Sequence, residues 1–165
     1  MRARPLLLSL VLVGLSSPAF AWAVASDPEN DGNRITAWDD DSDNRGFQLA
    51  LTCNDAAPAG AELYFYTGAP WNAVLAGHTS EALKLEIDGK EYPYKAGFVQ
   101  AGDEAALMAS VAADPSVPEL FTALGKATSS ITLTYGGVVF SFDVDDVEAS
   151  VGTFLDTCVV VPGKA

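Results

Sequence analysis

Between Ser130 and Cys158 a hairpin, a helix start and a cysteine follow one another without a gap, and this stretch constrains the rest of the chain. Ile131, Leu133 and Tyr135 alternate with Thr132 and Thr134, Gly136-Gly137 makes a two-residue turn, and Val138, Phe140, Phe142 and Val144 alternate again. Such a turn fixes the register: Tyr135 pairs with Val138, Leu133 with Phe140 and Ile131 with Phe142, and the large apolar side chains fall on one face. Asp145, with Glu148 three residues on, is a D-x-x-E variant of the capping box and predicts a helix start. Val147, Val151, Phe154, Leu155 and Cys158 then share one helical stripe. Strands, helix and cysteine all point into one core.

The chain opens with a secretory signal pattern over residues 1–21. Arg2 and Arg4 give a positive start, Leu6 to Leu15 an apolar centre, and Ala19-Phe20-Ala21 a small-residue cleavage site. Trp22 is the expected first mature residue, with Ala21-Trp22-Ala23 and Ala23-Val24-Ala25 as alternative sites. The apolar centre is about half the roughly 20 residues that span a bilayer. No membrane insertion is therefore expected after signal cleavage. Residues 22–165 suffice for a single β-rich domain with a substantial core. The formal net charge of the 165-residue chain is −13, and loss of Arg2 and Arg4 makes the remainder more acidic. The other basic residues are scattered, so no nucleic-acid partner is expected: phosphate binding needs clustered Lys and Arg.

Cys53 and Cys158 are the only cysteines. Cys53 closes the alternating run Phe47, Leu49, Leu51, Cys53, and Cys158 lies on the apolar stripe of the last helix. In an exported chain the two are expected to form a disulfide, tying an early strand to the end of the fold.

Trp22 to Ala25 and Arg34 to Trp38 read as a hairpin across an acidic loop. Phe47 to Cys53 is a strand, Asn54 to Gly60 a loop, and Ala61 to Thr67 a central strand carrying Leu63 and Phe65 on one face and Tyr64 and Tyr66 on the other. Gly68 to Ala82, with Trp71 and the only histidine, His78, lacks clear periodicity and reads as a long loop. Leu83, Leu85 and Ile87 lead through Asp88-Gly89 into Tyr92 and Tyr94, a second hairpin. Ala105 to Ala112 fits a strand or a helix; a strand paired on Tyr94 to Gln100 is the preferred reading. Pro118 suits the first turn of a helix reaching about Ala127. The expected fold is mainly β or α+β: a single antiparallel sheet curled into a sandwich or partial barrel, with two short helices, the last packing on the final hairpin.

Leu85-Glu86-Ile87-Asp88-Gly89, the helix from Pro118, the strand Ile131 to Tyr135 and Val139-Phe140-Ser141-Phe142 before a closing helix resemble the invasion-associated locus B family of exported proteobacterial proteins. The resemblance covers about half of the chain after the signal. It implies a β-rich secreted accessory protein and transfers no catalytic residue.

Three chemistries merit weighing. Asp27, Glu29, Asp31 and Gly32 open like a calcium loop, and Asp39, Asp41 and Asp43 repeat the spacing with Asn44 in the glycine position. Ca²⁺ takes about six to eight oxygen ligands, and two such loops at one end of a sheet can share an ion. Solvated hairpin loops are the plainer explanation. For hydrolysis the chain has no G-x-S-x-G elbow, and His78 is the sole histidine base. Trp71, Tyr64 and Tyr66 offer an aromatic surface for a peptide, a glycan or a partner protein. The preferred reading is a periplasmic or secreted, non-catalytic binding or accessory domain with no cofactor. A calcium-binding module and a small periplasmic hydrolase are the alternatives.

Overall fold

The computed structural model describes residues 22–27, 34–41, 46–54, 57–77 and 81–158. The expected signal sequence therefore lies outside the described residues. Nine strands form one antiparallel sheet in the order β1-β2-β3-β4-β7-β6-β5-β8-β9. They are β1 (Trp22–Asp27), β2 (Arg34–Asp40), β3 (Gln48–Asn54), β4 (Ala57–Pro70), β5 (Glu81–Ile87), β6 (Lys90–Ala101), β7 (Glu104–Ser110), β8 (Ile131–Tyr135) and β9 (Val138–Phe142). Helices α1 (Val117–Leu124) and α2 (Val147–Thr157) flank the last hairpin in sequence.

The sheet turns on β6. Lys90 to Ala96 pair with β5, and Gly97 to Ala101 pair with β7, so one long strand belongs to both halves. The halves curl until their inner faces meet: the Phe65 ring on β4 lies 5.1 Å from Phe140 on β9 and 6.0 Å from Tyr135 on β8. Among the described residues no strand ladder joins β1 to β9, so the sheet is open. A partial barrel of this kind follows from the alternation in β3, β4, β5 and β8, whose inward Leu51, Phe65, Leu85 and Leu133 are fully buried.

Both two-residue turns behave as their sequences require. Asp88-Gly89 and Gly136-Gly137 have positive φ at every turn position, and the β8–β9 register is the expected one from Ile131↔Phe142 to Tyr135↔Val138. Trp22 to Ala25 pair with Ala37, Trp38 and their neighbours on β2, and β7 is a strand paired with β6.

Other expectations need correction. The stretch from Asn54 to Gly60 is not a loop throughout, because β4 begins at Ala57; nor is Gly68 a loop start, since β4 continues to Pro70 before a 3₁₀ turn at Ala73–Gly77. Gly68 is accommodated at φ +65, 3.1 Å from the Gly46 carbonyl oxygen for any added Cβ, a conformation and a gap that suit glycine. Helix α1 ends at Leu124, short of Ala127. Helix α2 starts at Val147 with Asp146, not Asp145, in the cap position at φ +61 and without a side-chain capping hydrogen bond, so the expected Asp145–Glu148 box does not form. The helix also lies chiefly against β1, β2, β3 and α1 rather than the preceding hairpin. Phe121 and Phe154 meet edge to face at 5.9 Å across the α1–α2 contact.

Cys53 and Cys158 form a disulfide, with Cα atoms 6.1 Å apart. It joins the end of β3 to the end of α2, and both cysteines are buried.

Candidate functional site

Period-two alternation along β4 buries Leu63 and Phe65 and turns Glu62, Tyr64 and Tyr66 to the outer face. The Tyr64 and Tyr66 rings stack, with centroids 5.7 Å apart and planes 21° from parallel. The Tyr64 hydroxyl donates to Glu62 Oε2 at 2.8 Å. Because β4 is central, each tyrosine has neighbours on both sides: Tyr64 lies between Ala50 and Met108, and Tyr66 between Gln48 and Ala106. Ala50 and Ala106 are small and buried, so the rings stand proud of the strands beside them. Trp38, across Ala50 in register, is half-buried on the same face.

Tyr66 separates two clefts. One, of about 410 Å³, is lined by Asp40, Gly46, Gln48, Tyr66 and Glu104. The other, of about 380 Å³, is lined by Tyr64, Tyr66, Gln100, Ala101 and Gly102 at the β6–β7 turn. The polar groups are held in place: Gln48 Nε2 donates to Asp40 Oδ1 at 3.0 Å, Gln100 Nε2 donates to the Gly102 carbonyl at 2.9 Å, and Glu104 accepts the Gly68 N–H at 2.5 Å. Aromatic rings flanked by oriented amides and carboxylates suit a ligand with an apolar face and a polar edge. A larger groove, about 550 Å³, opens at the start of α2, where Asp145, Asp146 and Glu148 line it without an aromatic ring.

The acidic residues at the end of β2 and just past it have another occupation. Asp39 and Asp41 are only 4% and 2% exposed. Asp39 Oδ2 accepts the Asp143 N–H at 2.7 Å, and Asp41 Oδ1 accepts the Ser141 N–H at 3.2 Å. Beside them the Trp22 indole N–H donates to the Asp143 carbonyl at 2.7 Å, with Trp22 itself 1% exposed. Burial pushes the Asp39 carboxyl up to about 7, against the pull of the Asp143 and Asp40 amides, and the Asp143 and Asp40 charges push the same way as burial. Asp39 and Asp41 thus sit on the inside of the sheet, not on a solvated calcium loop. Asp27 ends β1, and its side chain, like Glu29, Asp31 and Asp43, lies outside the described residues, as does His78.

Of the aromatic residues singled out by the sequence, Tyr64 and Tyr66 come together, while Trp71 does not join them. It is half-buried just beyond β4, donates its backbone N–H to the Asp103 carbonyl at 2.9 Å and lines neither cleft. Gln48, Gln100, Glu104 and Trp38 were not among the sequence candidates. Alternation from buried Leu49 places Gln48 outward, but Glu104 and Gln100 reach the face only through the β6–β7 turn.

No family model matches the chain, and neither a curated protein nor a solved structure matches it. The resemblance to the invasion-associated locus B family rests on its short C-terminal motifs alone.

Proposed function

We propose that the chain is an exported, non-catalytic binding or accessory domain that contacts its ligand through the Tyr64–Tyr66 face. The observation that carries this reading is the stacked, half-buried tyrosine pair on a central strand, between two clefts with oriented amide and carboxylate groups. Tyrosine combines a large apolar ring with a hydrogen-bonding tip, so a pair left partly open to solvent is suited to recognition. The ligand is a peptide, a glycan or a partner protein's surface laid across the outer sheet. Export to the periplasm or beyond is supported by the leader pattern in residues 1–21 and by the Cys53–Cys158 disulfide, which persists in an oxidising compartment. The motifs shared with the invasion-associated locus B family are in keeping with an accessory role.

The test is equilibrium binding of the oxidised protein to arrays of oligosaccharides and unstructured peptides, repeated with Tyr66→Ala and Tyr64→Ala. A ligand whose affinity falls about tenfold or more in either variant, with melting temperature retained, supports the reading. Ligands that bind both variants as well as the parent place the site elsewhere.

A further inference from the structure

The N–H groups of Ser141 in β9 and of Asp143 just beyond it point away from β8, and among the described residues no strand pairs with that edge to accept them. Instead Asp39 on β2 and Asp41 just past its end, two residues apart, accept the two amides, also two residues apart. Trp22 adds its indole bond to the Asp143 carbonyl. Side chains therefore stand in for a strand pair along the seam where the open sheet curls back on itself, and they cover an edge that would otherwise offer hydrogen bonds to another chain.

We infer that this β2–β9 seam is a pH-responsive closure, held while Asp39 is neutral and loosened when it ionises, exposing the outer edge of β9. Among the described residues the charges acting on Asp39 are of one sign, Asp40 next to it on β2 and Asp143 just beyond β9, and Asp41, just past the end of β2, holds the neighbouring Ser141 N–H. The residues opposite it in register, Trp22 on β1 and Leu49 on β3, carry no charge, and from α2 the Ser150 hydroxyl donates to the Trp22 carbonyl at 3.1 Å. Among the described residues no Lys or Arg forms an ion pair with it. A carboxylate formed there is buried, next to like charges and, among the described residues, without a counter-ion, a combination that favours the neutral acid.

The sign follows from linkage. The folded-state pKa of Asp39 is raised from 3.8 to about 7, so the closed seam binds the proton more tightly than an opened one. Closure is most favourable at acid pH, weakens as pH rises toward 7 and is weakest above it. The loss is local, because the β5–β8 ladder and the α1–α2 contact do not involve the seam.

Hydrogen exchange followed by NMR on the intact oxidised protein tests this. Between about pH 5.5 and 8.5, protection of the Ser141 and Asp143 amides, corrected for the intrinsic pH dependence of exchange, falls about tenfold or more, while that of Leu85 does not. Asp39→Asn keeps an oxygen acceptor for the Asp143 N–H but cannot ionise, and its seam amides keep constant protection across the same range. Seam protection that stays constant in the parent protein, that falls together with Leu85, or that falls equally in Asp39→Asn overturns the inference. The comparison of seam and Leu85 amides in the parent decides the matter even if the variant does not fold.

Discussion

Replacing both Cys53 and Cys158 by Ala removes the one covalent link between the two ends of the fold. The cysteines are 105 residues apart in sequence, and both are buried. In the chain-entropy account, closing a loop of about 100 residues restricts the unfolded chain by about 4.7 kcal/mol at 25 °C. The side chains themselves contribute little to the difference, because a buried thiol and a methyl group are both small and apolar. The variant is expected to lose about 4 to 5 kcal/mol, the larger part of the stability of a marginal domain. For a domain of this size that is roughly 10 to 20 °C in melting temperature. Urea unfolding of the oxidised parent and the double variant, with the slope fitted separately for each, measures it directly, and thiol titration of the unfolded parent confirms that no free cysteine is present. A loss below about 1 kcal/mol would refute the reasoning, because it would mean that the link does not constrain the unfolded chain across the whole loop.

Two further outcomes follow from single side chains. The Asp88 carboxylate accepts the backbone N–H groups of Thr128, Ser129 and Ser130 and the hydroxyls of Thr128 and Ser129, holding the β5–β6 turn to the strand-entry segment of β8. The Ser129 hydroxyl and these amides hold its pKa below 3.8, so its contribution is present above that pH and is lost as pH falls beneath it. Asp88→Ala therefore lowers the melting temperature at neutral pH, and the gap from the parent narrows below pH 3.8; a gap independent of pH would show that the charge is not what holds the turn. The Tyr94 hydroxyl is buried and has no hydrogen-bond partner among the described residues, and burial raises its pKa. Tyr94→Phe is expected to raise stability by about 1 kcal/mol in urea unfolding, whereas a loss of that size would reveal a partner such as an ordered water.

The parts of the fold that are legible in the sequence are those fixed by local rules. Asp88-Gly89 and Gly136-Gly137 demand positive φ and so set strand register, and alternation around Leu49, Phe65 and Leu85 sets which face is buried. The same period-two rule separates Tyr64 and Tyr66 from Leu63 and Phe65, which is why the aromatic half of the candidate site is readable from the residues alone. What is not legible depends on partners distant in the chain. Ala57 to Gly60 and Gly68 to Pro70 carry strand-breaking residues and belong to β4 because β3 and β7 lie beside it. The Asp145–Glu148 pattern predicts a cap, but the left-handed Asp146 between them redirects the chain. Asp39 and Asp41 have the spacing of calcium ligands, and their acceptor role shows only when β9, about 100 residues later, is brought alongside.

Amide chemical-shift mapping is the test of the proposed binding surface on the outer face of β4. A ligand from the oligosaccharide or peptide arrays is titrated into labelled oxidised protein, and the shifts are followed residue by residue. A ligand seated on the tyrosine pair perturbs Gln48, Tyr64, Tyr66, Gln100 and Met108 and leaves Asp145 to Ala149 unmoved. Perturbations centred on the groove at the start of α2, with the tyrosine face unmoved, would contradict it.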